Sequence, residues 1–122
     1  MNRCLLLNNH VEIPQLALGT YQIEENEVAD VIEKAIDIGY RHIDCAFIYG
    51  NEKPIGKTLA NLFEKQIIQR SDLFLTSKLW SSFHKSQRVK QQCLISIANL
   101  QCQYLDLSII HWPISFIDQV RF

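Results

Sequence analysis

Short apolar segments that suit buried strands alternate along this chain with longer segments that have the apolar spacing of a helix. The strand-like segments begin near residues 16, 42, 73 and 105. Between them, apolar side chains recur at intervals of three and four residues, which places them on one face of a helix. This alternation is typical of βαβ units that share a parallel sheet, so we predict an α/β fold.

Turn residues and apolar spacing give approximate bounds for each element. We expect helices over about residues 27–38, 54–63 and 86–100, with Gly39 ending the first and Ser86 as N-cap of the third. Strands are expected over residues 16–18, 42–46, 73–78 and 105–112, the first of them stopped by Gly19. Residues 5–7 and 11–13 flank an Asn-Asn-His turn, which predicts an N-terminal hairpin.

The glycine patterns that bind phosphates in nucleotide-binding sheets, GxGxxG and GxxxxGK followed by Ser or Thr, do not occur in this chain. A barrel is therefore the better architecture. A complete (β/α)8 barrel needs roughly 250 residues, whereas this chain has 122. With about four βα pitches and no linker-like stretch, we expect at most half a barrel, folded as one domain over residues 1–122.

Charge and cysteine usage narrow the function classes. Lys and Arg total 12 against 13 Asp and Glu, so no basic surface is expected for nucleic acid or for an anionic membrane. No apolar run approaches the roughly 20 residues of a membrane span, and no signal peptide is expected. The four cysteines form no CxxC pair and have no metal-ligand spacing. We therefore expect no metal site and a cytoplasmic location.

Polar side chains lie at the predicted C-terminal ends of successive strands, the face where barrel enzymes place their chemistry. These are Asp44, Lys78 and His111, and Tyr49 follows Asp44 by five residues. Each has an ordinary alternative: a turn carboxylate, a solvated amine, a rim aromatic or a core histidine. Their joint placement on three consecutive strand ends favours an active site.

The four groups suit proton transfer to a carbonyl oxygen. A free phenol, with a pKa of about 10, is a weak acid, and a nearby ammonium favours the phenolate. Lys78 could tune Tyr49 in this way, with Asp44 as the counter-charge that a buried ammonium requires. His111 could orient the carbonyl by a hydrogen bond. Carbonyl reduction would additionally require a bound hydride donor.

Long segments of the chain resemble the signature motifs of the aldo-keto reductases. Residues 39–46 read GYRHIDCA and are followed by YGNE at 49–52. Residues 73–80 read LFLTSKLW, and residues 104–107 and 109–113 read YLDL and IIHWP. Residues 14–21 resemble the family's opening strand. Together these matches extend from about residue 5 to residue 113.

This resemblance implies the N-terminal half of a (β/α)8 TIM barrel, closed at its bottom by the hairpin, and NADPH-dependent reduction of aldehydes or ketones. Tyr49 would be the proton donor, Asp44 and Lys78 its tuning pair, and His111 the group that orients the carbonyl. The matching cofactor-binding residues are Gly19, Thr20, Tyr21 and Asp44, and the matching substrate-binding residues are Trp80, His111 and Trp112.

The departures from the family define the alternative. In the family, the C-terminal half of the barrel supplies most of the residues that bind the cofactor. Residues 114–122 of this chain do not resemble that half. We therefore expect a truncated product, a splice form or an incomplete gene model. The alternative function is a catalytically inactive half-barrel that acts by association. Its edge strands, near residues 16–19 and 107–112, favour self-association. Ile43, Leu75 and Ile110, or their alternating neighbours, are expected on the barrel-interior face.

Overall fold

A computed structural model describes residues 3–116 as a hairpin followed by a parallel sheet with helices. The hairpin pairs β1 (Cys4–Leu6) with β2 (Glu12–Pro14) in antiparallel register. The sheet contains β3 (Leu18–Gly19), β4 (His42–Asp44), β5 (Phe74–Leu79) and β6 (Leu107–Ile110). The helices are α1 (Val28–Asp37), α2 (Glu52–Glu64) and α3 (Ser86–Leu100). Short 3₁₀ turns occupy Phe47–Tyr49, Arg70–Asp72 and Ser81–Phe83.

The strands of the sheet lie in the order β3-β4-β5-β6, and all neighbours are parallel. Each strand is therefore adjacent to the next strand in sequence, with a helix in each of the three connections. This arrangement confirms the predicted α/β fold and matches four consecutive strands of a (β/α)8 barrel. Among residues 3–116, β3 and β6 are the outer strands of the sheet, as expected.

Several predicted boundaries were wrong in detail. Gly19 does not stop the first strand but belongs to it, because it pairs with Asp44. Ser86 is not the N-cap of α3 but its first helical residue. The N-cap is Lys85, whose backbone is extended and whose carbonyl accepts the Arg88 N–H at 2.7 Å. The two hairpin strands lie one residue away from their predicted positions.

The hydrophobic core lies between the sheet and the helices. Ile32 of α1 and Leu59 of α2 are fully buried against Ile43 of β4 and Leu75 of β5. The first expectation for the barrel-interior face was therefore wrong for Ile43 and Leu75, which point at the helices. Their alternating neighbours occupy the opposite face, since side chains alternate along a strand.

A histidine on that opposite face connects the hairpin to the sheet. His42 lies 3.1 Å from the Pro14 carbonyl through Nδ1 and 2.9 Å from the Thr76 hydroxyl through Nε2. Its ring meets Phe74 edge-on at 4.8 Å. These contacts hold the hairpin at the N-terminal ends of β4 and β5, which is the position expected for a cap at the bottom of the barrel.

The outer strand β6 is much more exposed than β5. Every residue of β5 is buried, whereas Ile109 and Ile110 are 40% and 63% exposed. At the start of β6 an ion pair joins Arg70 to Asp106 at 2.6 Å, and Asp106 also accepts the Leu75 N–H. No helix between residues 3 and 116 combines the length and the apolar character needed to cross a membrane.

Candidate active site

The C-terminal ends of β4 and β5 bring three of the four predicted catalytic side chains into direct contact. Lys78 Nζ lies 2.8 Å from Asp44 Oδ1 and 3.4 Å from the Tyr49 hydroxyl, and it donates to the Cys45 carbonyl at 2.8 Å. An ammonium has three N–H donors, and here it meets three oxygen acceptors. The amine is thus held in one orientation.

The burial of this ion pair is unequal. The Lys78 side chain is 10% exposed and the Asp44 side chain is 34% exposed. An ammonium this buried needs a counter-charge, and Asp44 provides it from the neighbouring strand. Because the carboxylate is partly hydrated, the attraction between the two charges is weaker than in a fully buried pair.

A tight turn after β4 places the phenol. Ala46 is extended, Phe47–Tyr49 forms a 3₁₀ turn, and Gly50 ends the turn with φ 73°. Glycine adopts this left-handed conformation at no steric cost, because it has no Cβ. The turn reverses the chain between β4 and α2, so that Tyr49 points back over the end of β5.

His111 completes the predicted group at the end of β6. Its backbone N–H donates to the Leu79 carbonyl at 3.0 Å, and its ring lies 5.6 Å from the rings of both Tyr49 and Trp80. Burial lowers the pKa of His111, and the Lys78 ammonium lowers it further. The imidazole is therefore favoured in its neutral form, which can donate one hydrogen bond. Its Nδ1 is buried without a hydrogen-bond partner among residues 3–116.

An aromatic cavity of about 480 Å³ opens beside these groups. Its lining residues are Tyr21, Ile48, Tyr49, Trp80, His111 and Trp112. Phe116, in the segment that departs from the family pattern, extends the aromatic cluster by contacting Trp80 at 5.8 Å. The rest of that segment, residues 117–122, lies outside the described part of the chain. A larger groove of about 660 Å³ between the helices contains none of the predicted site residues.

The segment after β3 supplies the predicted cofactor residues. Thr20 is fully buried and donates both its N–H and its hydroxyl to the Asp44 carbonyl, each at 3.1 Å. Tyr21 is 64% exposed, and its ring lies 5.0 Å from the Tyr49 ring. Gly19 has open space where a Cβ would stand.

These residues fit the nicotinamide end of NADPH. Gly19 has open space above its backbone, and Tyr21 presents an exposed ring beside the Tyr49 ring. Thr20 fits as the residue that holds this segment against Asp44. None of the four predicted cofactor residues is positively charged, so this set does not provide the cations that bind phosphates.

Sequence reasoning missed the polar residues that support the site. Asn51 donates from Nδ2 to the Thr20 carbonyl at 2.8 Å and so holds the segment that carries Tyr21. Behind β5, a buried Gln92 side chain hydrogen-bonds the backbone of Lys78 and Trp80. A signal for Gln92 existed in its spacing of eight residues from the apolar Leu100, which places both on the buried face of α3, where a polar side chain is unusual.

Comparison with known proteins identifies the family. The aldo/keto reductase family model matches residues 15–117. The aldose reductase of Encephalitozoon cuniculi is 50% identical over 111 residues, which is 90% of this chain and 36% of that protein. The chain therefore spans just over a third of the length of this relative.

Solved structures agree with this assignment. The aldose reductase from Schistosoma japonicum superimposes with a TM-score of 0.92 at 40% identity, over 98% of this chain and 40% of that one. The aldo-keto reductase from Bombyx mori, solved in complex with NADP, gives a TM-score of 0.88 at 35% identity, over 93% and 39% of the two chains. The motifs, the partial barrel and the strand-end residues lead to one conclusion: this chain belongs to the aldo/keto reductase family.

Proposed function

We propose that this chain carries the catalytic residues of an NADPH-dependent reductase of small aldehydes or ketones. The observation that carries the proposal is the contact of Lys78 Nζ with both Asp44 and the Tyr49 hydroxyl. A positive charge next to a phenol stabilises the phenolate that remains after proton transfer.

In this mechanism the carbonyl oxygen of the substrate lies between Tyr49 and His111. His111 donates a hydrogen bond that orients the carbonyl and stabilises the negative charge that develops on oxygen. Tyr49 then gives its hydroxyl proton to that oxygen, while Lys78 stabilises the phenolate and Asp44 balances the charge of Lys78. NADPH, when bound, supplies the hydride for the carbonyl carbon.

The cofactor and substrate contacts follow from the same geometry. Gly19, Thr20, Tyr21 and Asp44 would hold the nicotinamide end, with Thr20 acting through its bonds to the Asp44 carbonyl. Trp80, His111 and Trp112 would enclose the substrate, since they line the aromatic cavity. Small apolar carbonyl compounds suit such a wall.

We also propose that the protein works in a reducing compartment, the cytoplasm, because all four of its cysteines are free thiols. Cys45 lies directly after the catalytic Asp44, and burial raises the pKa of its thiol to about 12. The thiol therefore stays protonated and unreactive. Cys45 acts as a small core residue, and its carbonyl is the part that serves the site.

The test uses this chain joined to the remaining C-terminal segment of the Encephalitozoon cuniculi relative. Tyr49→Phe should lower kcat for reduction of a small aldehyde by about 10²- to 10⁴-fold, because the general acid is lost. Binding of NADPH, followed by fluorescence titration, should remain within about twofold. Tyr40→Phe, at the start of the segment leading into β4, is the matched control and should leave kcat unchanged. Wild-type turnover in Tyr49→Phe would refute the proposed role.

A second candidate function is association of two copies without catalysis. The observation that favours it is the exposed apolar edge of the sheet, where Ile110 and Trp112 are 63% and 49% exposed. An unpaired edge strand with apolar side chains readily pairs with another chain. We propose that the isolated 122-residue chain self-associates through this edge and binds NADPH weakly or not at all.

Sedimentation equilibrium of the purified chain tests this candidate. Ile110→Lys should shift the chain toward monomer, since a charge on the edge strand opposes pairing. Ile38→Lys, at a position 74% exposed at the end of α1, is the control and should not change the mass. A compact monomer that binds NADPH with micromolar affinity would contradict association and favour the enzyme.

A further inference from the structure

The sheet-facing side of α3 carries two polar residues one helical turn apart. Gln92 is 2% exposed and Ser96 is fully buried. Burial of an amide is costly unless its atoms are hydrogen-bonded. Both polar atoms of the Gln92 amide have partners: Oε1 accepts the Trp80 N–H at 2.7 Å, and Nε2 donates to the Ser96 hydroxyl at 3.2 Å and to the Lys78 carbonyl at 3.3 Å.

The position of Gln92 follows from where β4 ends. Along β5, Phe74 and Thr76 bond to the β4 side through the Arg41 carbonyl and the Cys45 N–H. The last groups of β5 and its following residue on that side are the Lys78 carbonyl and the Trp80 N–H. There β4 has already ended, at Asp44. The Gln92 amide takes over these two bonds, in the way that the next peptide unit of a strand would.

A second set of bonds links the same strand to the segment that carries Tyr49. The Ser77 hydroxyl donates to Glu52 Oε1 at 2.7 Å, and Glu52 Oε2 accepts from Asn99 at 3.2 Å. Glu52 is the first residue of α2, three positions after Tyr49. The two segments that carry the phenol and the ammonium are therefore tied together behind the sheet as well as at the site.

We propose that Gln92 is a positioning residue for the reaction. It fixes the last residues of β5, so that the Lys78 ammonium stays against Tyr49 and the Trp80 ring stays beside His111. This inference rests on the proposed reductase function. The hydrogen bonds of the Gln92 side chain go to the backbone of Lys78 and Trp80 and to Ser96. Gln92 therefore acts on the site through the backbone of Lys78 and Trp80.

The test compares Gln92→Met with Gln91→Met in the joined enzyme described above. Methionine keeps the length of the side chain and removes both hydrogen-bonding atoms. Gln91 is exposed on the same helix and provides a matched control. Gln92→Met should lower kcat by roughly 10- to 100-fold, the range expected for a small displacement of catalytic groups. KM for NADPH should stay within about twofold, and Gln91→Met should match the parent in both constants.

A second measurement separates positioning from stability alone. In the 122-residue chain, Gln92→Met should speed hydrogen exchange of the Trp80 amide by at least about tenfold relative to core amides of β4. Ser96→Ala removes one bond to Gln92 with little change in volume. It should lower kcat by a smaller factor. The double variant should be close to Gln92→Met, since the other contact of the Ser96 hydroxyl, from the Ser77 hydroxyl, is long at 3.5 Å.

The outcomes distinguish this inference from the proposed function. If Tyr49→Phe retains full activity, the reductase mechanism is wrong whatever Gln92 does. If Tyr49→Phe is inactive but Gln92→Met keeps the parental kcat, the positioning role is wrong. If Gln92→Met does not fold, Ser96→Ala decides: a parental kcat and a parental Trp80 exchange rate in that variant would overturn the proposal.

Discussion

The two faces of the same sheet differ in composition and in what covers them. On the helix-facing side, Ile43 and Leu75 are fully buried by residues of α1 and α2. On the opposite side, β5 presents Thr76 and Lys78, and Asp44 is partly exposed beside them. The apolar face is covered by helices that adjoin the strands in sequence. The polar face receives its contacts from strand ends and turns, so we assign stability mainly to the first and chemistry to the second.

The largest expected effect is a loss of stability when a residue at the centre of the helix-facing side of the sheet is shortened. The same change at the outer strand β6 should cost much less. Leu75→Ala should lower the free energy of unfolding by about 2–5 kcal/mol, because it leaves a cavity in the core. Ile110→Ala, at a residue that pairs with Leu79 but is 63% exposed, should cost less than about 1 kcal/mol. Urea unfolding of the 122-residue chain measures both. Equal losses would mean that β6 is covered in solution as well as β5.

A second prediction compares the cost of adding a methyl group at a glycine between two helices, Gly56, and at a glycine beside the candidate site, Gly19. A Cβ at Gly56 would overlap the Asn99 carbonyl oxygen and would lie 2.6 Å from the Leu100 carbonyl carbon. Because both atoms are backbone, Gly56→Ala must push α2 and α3 apart, at a cost of about 1–3 kcal/mol. Gly19→Ala meets nothing within 4 Å and should stay within about 0.5 kcal/mol. Thermal unfolding of both variants provides the comparison.

The ion pair tests whether the polar face also contributes to stability. Lys78→Met and Asp44→Asn should each destabilise the fold, and the double variant should recover part of the loss. We expect a coupling energy of about 1–2 kcal/mol, at the lower end for buried pairs because Asp44 is partly exposed. Urea unfolding of the four proteins closes the cycle. Additive losses would show that the two charges do not stabilise each other.

The smallest expected effect is the pH dependence due to His111. Burial and the Lys78 ammonium lower the pKa of His111, so below about pH 6.5 the unfolded chain binds a proton that the folded chain resists. The free energy of unfolding should therefore fall as the pH drops below 6.5, by less than about 1 kcal/mol given solvent screening. His111→Gln should flatten this part of the profile, and Lys78→Met should reduce it. An unchanged profile in His111→Gln would contradict the assignment.

Local patterns predicted the elements well because their causes are local. The three helices lie close to the predicted ranges, and α1 ends as expected just before Gly39, whose φ is 101°. Apolar spacing and a left-handed glycine act within a few residues, so they can be read from the chain. Strand ends were predicted less well, since a strand extends as far as its neighbour pairs with it. The pairing of Gly19 with Asp44 is such a case.

The candidate site likewise contains residues that the sequence predicted and one, Gln92, that it did not. The types and order of Asp44, Tyr49, Lys78 and His111, together with the family motifs, predicted a common location at the strand ends. The contact of Lys78 with Tyr49 at 3.4 Å agrees with it. Sequence reasoning did not find Gln92, because its role depends on β4 ending before β5 does, which concerns two strands and a helix that are distant in sequence.

The sequence by itself therefore determined the α/β alternation, the family and the residues that gather at one end of the sheet. Only the tertiary structure decided which face of each strand meets the helices. It also decided which backbone groups hydrogen-bond to the buried Gln92 amide. Alternation along a strand is symmetric, so a short run such as 42–44 does not say which side is inside. That choice is made by packing, when the helices cover Ile43 and Leu75 and leave Lys78 to its partners on the opposite face.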